Sequence, residues 1–220
     1  YFGDGSEFGV SIKYVVQRRQ LGTADALRTA EPFVTDTFLM LNGDMVVDVE
    51  DLTKICETKA PVMAVSTTTH PEDFGVVTLS CDKISSLEEK SPEPKSNIIN
   101  AGAYLFGCEI FETLKKVSPS SRGEYELTDA LMDYIAENRL SAHQLSLWMD
   151  VGYPWDMLSA NEHMLSSLED TRLGVIEENV VIRGNIYLGK GAVIKSGTYI
   201  EGPCIIGENT TVGPNAYLRR

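Results

Sequence analysis

The sequence predicts an α/β chain: an open, mainly parallel sheet covered by helices, followed by a parallel β-helix. Three observations carry this. Apolar runs of strand length alternate with stretches of helical periodicity over residues 1–160. From Ile176 to Leu218 an aliphatic residue then recurs at every sixth position. Finally, the 220 residues are 43% hydrophobic and 23% charged, the balance of a packed globular protein and not of a disordered one.

From the N-terminus, Ile12–Val16 reads as a strand of β-branched and aromatic residues, and Thr23–Ala30 as the helix after it. Phe38–Leu41, Val62–Thr67, Gly75–Leu79 and Ala103–Phe106 have the composition of buried strands. Val49–Lys59, Glu109–Lys116 and Leu127–Glu137 space their apolar residues for one helical face. Sheets of this kind bind ligands at the carboxyl ends of their strands, where the strand order reverses. A polar helical stretch, Trp155–Glu169, bridges to the tail; the expected division is a first domain at 1–160, a linker helix at 161–174 and the β-helix at 175–220.

The tail carries the clearest pattern. Ile176, Ile182, Leu188, Ile194, Ile200, Ile206, Val212 and Leu218 hold one register. Four residues after each comes a mostly small one: Val180, Ile186, Ala192, Thr198, Cys204, Thr210 and Ala216. Glycines and asparagines fill the turns between. A six-residue unit of one short strand and one turn is a single face of a triangular prism, with the aliphatic side chain inside. An α-helix cannot bury a period of six on one stripe, and a flat strand alternates by two.

Charge and composition exclude several functions. The net charge is −13 and the sequence pI about 4.6, so the chain lacks the basic surface that displaces counterions from nucleic acid. No apolar run reaches the roughly 20 residues of a membrane span, and no signal-peptide pattern opens the chain, which suits a soluble, cytoplasmic protein. Cys56, Cys81, Cys108 and Cys204 are far apart and read as buried apolar thiols, neither a zinc site nor a disulfide frame. His70, His143 and His163 share no motif with an acid or a cysteine, so covalent hydrolysis is disfavoured. Tyr1–Gly9 reads as the interior of a longer polypeptide.

Candidate chemistry lies in four segments. Leu39–Asp48 is an apolar strand ending in Asn42-Gly43-Asp44, which sets one carboxylate at a strand's carboxyl end, although a lone aspartate there serves equally as a helix cap. Trp148-Met149-Asp150-Val151-Gly152 repeats the arrangement, and two carboxylates from distant segments suit a hard divalent cation such as Mg²⁺. In Gln17 to Leu27, the Gln17 amide can read a nucleobase edge, Gly22 allows close backbone approach and Thr23 starts a helix; a plain helix start with an exposed glutamine is the alternative. Glu89 can accept hydrogen bonds from sugar hydroxyls and Lys90 can neutralise a phosphate, or the two form an ordinary surface ion pair.

In order along the chain, the segments Phe2-Gly3-Asp4-Gly5, Gln17 with Leu21-Gly22-Thr23-Ala24, Asn42-Gly43-Asp44 and Phe74-Gly75-Val76-Val77 lead to Glu88-Glu89-Lys90 and Asn100-Ala101-Gly102. Arg122-Gly123-Glu124-Tyr125-Glu126-Leu127-Thr128-Asp129 and Trp148–Gly152 complete the set. Together they resemble the sugar-1-phosphate nucleotidyltransferases, above all archaeal-type glucose-1-phosphate thymidylyltransferases and N-acetylglucosamine-1-phosphate uridylyltransferases with a β-helix tail. The resemblance implies a Rossmann-like nucleotidyltransferase domain and a left-handed β-helix. It implies that Gln17 and Gly22 contact a pyrimidine base, that Asp44 and Asp150 hold Mg²⁺, that Gly75, Glu89 and Asn100 hold the sugar, and that Lys90 lies near its phosphate. The implied reaction joins dTTP or UTP to glucose-1-phosphate or N-acetylglucosamine-1-phosphate and releases pyrophosphate.

The resemblance also has gaps. The family's glycine-rich, arginine-bearing loop, which cradles the triphosphate, is expected ahead of Tyr1, and residues 1–220 on their own are expected to be inactive. Ser91 stands where relatives carry proline. Two other readings remain: a non-catalytic scaffold of the same plan, and a bifunctional enzyme with acetyltransferase chemistry in further coils. No histidine occurs between Gly174 and Arg220 to act as an acetyl-transfer base. By analogy with relatives, the β-helix is expected to assemble as a homo-oligomer, trimer or dimer.

Overall fold

The computed structural model describes residues 1–120 and 123–219, so Arg122 of the quoted motif and the terminal Arg220 lie outside the described residues. The chain divides into two compact units, Tyr1–Met149 and Asp150–Arg220.

In the first unit, helix α1 (Thr23–Arg28) precedes β1 (Phe38–Leu41), β2 (Met45–Val47) and α2 (Val49–Glu57). Strands β3 (Val62–Thr67), β4 (Gly75–Ser80), β5 (Lys83–Glu89) and β6 (Ile98–Phe106) follow. The unit continues through α3 (Ile110–Leu114), α4 (Leu127–Ala136), β7 (Ser141–Gln144) and β8 (Trp148–Asp150), the last residue of which opens the second unit. Six strands form one sheet in the order β1-β6-β3-β7-β5-β4, while β2 and β8 make a separate two-stranded ribbon. The sheet is mixed. β3 and β7 pair in parallel, and β6 runs antiparallel between β1 and β3. β5 is antiparallel to both β7 and β4, so β1, β3, β7 and β4 share one direction with β6 and β5 interleaved against them.

Both faces of the sheet are covered. Met63 and Val65 of β3 and Tyr104 and Phe106 of β6 pack on the face of α1, α3 and α4. Their neighbours Val62, Ala64, Ala103 and Leu105 pack on the opposite face with Ile55 of α2. Alternation by two sends successive residues to opposite cores, which is why β3 and β6 read as unbroken apolar runs. Helix α4 buries Leu127, Ala130, Leu131 and Tyr134, the spacing of one helical face.

Two expectations need correction here. Ile12–Val16 is not a strand: Tyr14, Val15 and Val16 are exposed, and among the described residues no strand pairs with this segment. Without a ladder partner its β-propensity has nothing to act on. Cys56 and Cys81 are exposed, not buried, because Cys56 follows the inward-facing Ile55 on α2 and Cys81 sits in the turn between β4 and β5. All four thiols are free.

A buried carboxylate ties α2 to the segment between β7 and β8. Asp48 caps α2 by accepting from Glu50 N at 2.8 Å, which leaves Asp51 to turn inward. Asp51 Oδ2 accepts from Ser146 N at 2.6 Å and Ser146 Oγ at 2.7 Å. Burial pushes the Asp51 carboxyl up, but the two Ser146 hydrogen bonds, with Lys54 and His143 nearby, outweigh it and hold the group below the usual carboxylate range. A folded-state pKa below the unfolded one stabilises the fold above the unfolded carboxylate pKa, and this contribution is lost as pH falls through the folded value. Asp51→Ala should therefore cost ~2–4 kcal/mol at neutral pH, because it strands the Ser146 N–H. Urea titrations at pH 7 and pH 3 check this, with the wild-type advantage shrinking at the lower pH.

In the second unit, helix α5 spans Asp156–Ser166, within the helical stretch expected at Trp155–Glu169. The prism is already under way at β9 (Thr171–Arg172), which pairs with β12 (Ile186–Leu188). Three parallel three-stranded sheets form its faces. One stacks β10 (Val175–Ile176), β13 (Val193–Ile194) and β16 (Thr211–Val212). A second stacks β11 (Val181–Arg183), β14 (Tyr199–Glu201) and β17 (Tyr217–Arg219), and the third adds β15 (Cys204–Ile206) to β12 and β9. Ile176, Ile194 and Val212 occupy successive registers of one face, and Ile186, Leu188, Ile194 and Ile200 are fully buried inside.

Candidate active site

The first unit contains a cleft of about 410 Å³, within the usual range for a small-molecule site. It gathers Gln17, Gly22, Thr23, Gly75, Glu89 and Asn100 from segments up to 83 residues apart in sequence.

One end is built on the start of α1. Gly22 has φ +100°, and a Cβ there would lie 2.4 Å from the backbone oxygen of Tyr125. The chain before α1 runs against residues 125–127: Tyr125 N donates to Leu21 O at 2.7 Å and Ala24 N to Tyr125 O at 2.9 Å. Thr23 Oγ1 accepts from Leu127 N at 3.0 Å, so its hydroxyl also tethers this loop. Gln17 Nε2 donates to Asp25 Oδ2 at 2.8 Å and to Gly22 O at 3.2 Å.

The other end is built on the sheet. Gly75 of β4 faces Glu89 of β5 across the antiparallel ladder, and a Cβ on Gly75 would lie 3.1 Å from Glu89 Oε2. Asn100, Gly102 and Tyr104 alternate along β6 and so share a face. Asn100 Nδ2 donates to the Tyr104 hydroxyl at 2.7 Å, and Asn100 Oδ1 accepts from Gly102 N at 3.1 Å. Burial pushes the Tyr104 hydroxyl pKa well up, with the hydrogen bond from Asn100 opposing and the Glu89 charge adding, so Tyr104 stays a neutral donor and acceptor. Phe74 lines the wall and packs edge-on against Trp148, whose Nε1 donates to Ala101 O at 2.9 Å. Hydroxyl-binding groups over an aromatic-backed wall suit a sugar.

The remaining predicted site residues lie outside this lining. Lys90 follows β5 with φ +46°, its N–H donating to Phe74 O at 2.9 Å. Asp44 is exposed immediately before β2, with no hydrogen-bond or ion-pair partner among the described residues, and Asp150 ends β8. Sequence reasoning missed Tyr104, Asn42 and the acidic residues Asp73, Glu124 and Glu126 as part of the lining. Alternation by two from Asn100 is the signal that points to Tyr104. Asn42, Glu124 and Glu126 lie within motif segments already quoted, and nothing local marks Asp73.

Residues 1–167 match the nucleotidyl transferase family, and residues 185–220 match the bacterial transferase hexapeptide repeat. The chain is 44% identical over 210 residues to the bifunctional protein GlmU of Methanocaldococcus jannaschii, covering 94% of this chain and 51% of that protein. It is 35% identical to the glucose-1-phosphate thymidylyltransferase of Streptomyces antibioticus, covering 93% of this chain and 60% of that protein. The chain thus spans about half the length of the GlmU relatives it matches. A crystal structure described as a glucose-1-phosphate thymidylyltransferase of Bacillus anthracis, solved with sucrose, superposes with a TM-score of 0.66 at 32% identity over 78% of this chain and 72% of that one. With matching motifs, fold and cleft all lying within the matched span, this chain belongs to the nucleotidyl transferase family and carries a left-handed hexapeptide β-helix behind its transferase domain.

Proposed function

We propose that the protein joins a nucleoside triphosphate, dTTP or UTP, to a sugar-1-phosphate, glucose-1-phosphate or N-acetylglucosamine-1-phosphate, with release of pyrophosphate. The observation that carries this reading is one cleft lined at one end by Gln17 and Gly22 and at the other by Gly75, Glu89 and Asn100. That arrangement suits a base at the first end and a sugar at the second. Glu89 accepts from sugar hydroxyls, Asn100 and Tyr104 complete their hydrogen bonds, and the backbone at Gly75 lets the ring approach. Lys90, next to Glu89, neutralises the sugar phosphate. A phosphate oxygen of the sugar then attacks the nucleotide α-phosphorus in line; such a step needs positioning and charge neutralisation more than covalent help.

Asp44 and Asp150 fit a divalent cation. They are hard oxygen donors, and Asp44 is committed to no other partner among the described residues. Among the described residues no group of three or more acidic, histidine or cysteine side chains gathers as a metal site, and Mg²⁺ needs only one or two carboxylates when phosphates complete its shell. When bound, Mg²⁺ supplies charge neutralisation at the α-phosphate and pyrophosphate.

Pyrophosphate release by the full-length natural polypeptide from UTP or dTTP with each sugar phosphate, with and without Mg²⁺, tests this reading. Absence of release under every combination would reject it. Glu89→Gln should raise KM for the sugar phosphate about tenfold and change kcat little, since a hydrogen bond to a charged acceptor is replaced by one to a neutral acceptor. A second activity is also open. Relatives include one described as a bifunctional sugar-1-phosphate nucleotidylyltransferase/acetyltransferase from Sulfurisphaera tokodaii, 38% identical over 213 residues. Consumption of acetyl-CoA with glucosamine-1-phosphate by the full-length polypeptide tests it.

A further inference from the structure

The orientation of the Gln17 amide is dictated by its neighbours. Both partners of Nε2, the Asp25 carboxylate at 2.8 Å and the Gly22 carbonyl at 3.2 Å, are acceptors. An ionised carboxylate and a backbone carbonyl cannot donate, so an inverted amide would set Oε1 against two other oxygens. Gln17 lines the cleft, and Oε1 is its one side-chain polar atom with no hydrogen-bond partner among the described residues. Gly22 O is also occupied, since it accepts from Ala26 N at 3.1 Å as the first carbonyl of α1. The side chain therefore offers a ligand an acceptor and nothing else.

We propose that Asp25 is a specificity-determining positioning residue: by holding Nε2 it makes Gln17 an acceptor-only reader, which admits a pyrimidine that presents a ring N–H and rejects one that presents a ring acceptor. This rests on the base lying at the Gln17–Gly22 end. Uracil and thymine carry a proton at N3; cytosine has a lone pair there, which would face Oε1 with no proton between them. The ring size is the same, so the discrimination comes from donor and acceptor pattern alone. An acidic residue in the first turn of a helix is ordinary on dipole grounds. That role would affect helix stability and would treat uridine and cytidine nucleotides alike.

The test compares wild type, Asp25→Asn and Asp25→Glu in the full-length polypeptide. Pyrophosphate release is measured with UTP and with CTP, and equilibrium dialysis measures both nucleotides without sugar phosphate. Wild type should favour UTP in both assays. The near-isosteric Asp25→Asn presents a donor as well as an acceptor and permits the inverted Gln17 amide. Its UTP-to-CTP ratio of kcat/KM should fall about tenfold or more, mainly by gain on CTP. Asp25→Glu keeps an acceptor-only partner and should hold the ratio near wild type. Equal loss on both nucleotides in Asp25→Asn, or no preference in wild type, overturns the proposal. If wild type releases no pyrophosphate from any nucleotide, the transferase reading fails separately, and the dialysis ratio still decides the role of Asp25. Failure to bind either nucleotide overturns both.

Discussion

Asp44→Asn should lower nucleotidyl transfer on the order of a thousandfold while leaving the thermal transition in place, and Asp150→Asn should lower transfer as far. Asp44 is exposed and makes no hydrogen bond or ion pair among the described residues, so its amide removes no packing and no partner from the fold. What it removes is one of the two negative charges proposed to hold Mg²⁺ where charge shifts during transfer. Phosphoryl transfer depends almost wholly on such positioning and neutralisation, so the loss falls on kcat. Titration of each variant with Mg²⁺, followed by pyrophosphate release and circular dichroism melting, separates this from unfolding. Unchanged turnover in both variants would remove the metal assignment, whereas a lowered melting temperature would assign the residue to structure.

Gly22→Ala should instead damage both fold and activity. The position has φ +100° and ψ 173°, a region essentially restricted to glycine, and the new methyl would lie 2.4 Å from the Tyr125 carbonyl oxygen. The obstacle is backbone held by three hydrogen bonds, Tyr125 N to Leu21 O, Ala24 N to Tyr125 O and Leu127 N to Thr23 Oγ1, so it cannot rotate aside. A cost of ~3 kcal/mol or more follows, equivalent to a fall of roughly 6–12 °C in Tm for a chain of this size. Any folded fraction should bind nucleotide weakly, because the loop that brings Gln17 to the cleft has shifted. Calorimetry and nucleotide dialysis on the same sample measure the two effects.

How legible each element was depends on where its partners lie. Phe38–Leu41 and Val62–Thr67 appear as strands with the expected bounds, because their apolar residues pack against the cores on both faces of the sheet, fully buried along β3 and half-buried along the edge strand β1. β7, Ser141–Gln144, has no such run; it is a strand because β3 and β5 flank it and take its backbone hydrogen bonds. β5 was hidden for a related reason. Only Ile84 and Leu87 of its residues are buried, and its ladder with β4 shifts between Thr78 and Leu79, which breaks the alternation. Ile12–Val16 shows the converse, strand composition with no partner.

The candidate site divides the same way. Gln17, Gly22, Gly75, Glu89 and Asn100 could be picked out as residue types suited to base, backbone approach and sugar. That they line one cleft follows from tertiary pairing: beyond the linear strand order, Val76 of β4 also pairs with Ile99 of β6, which brings β4, β5 and β6 together beside the start of α1.

The linear pattern alone determined the β-helix, because a hexapeptide repeat is local and each coil contacts its neighbours in register, so periodicity and burial are the same information. It also determined the buried strands and the amphipathic helices, whose periods follow from backbone geometry. Tertiary structure alone decided which way the Gln17 amide faces, which carboxylate is buried against Ser146 and which polar residues meet in the cleft. Those depend on hydrogen bonds between segments dozens of residues apart, such as Asp51 with Ser146, and no local spacing encodes a partner at that distance.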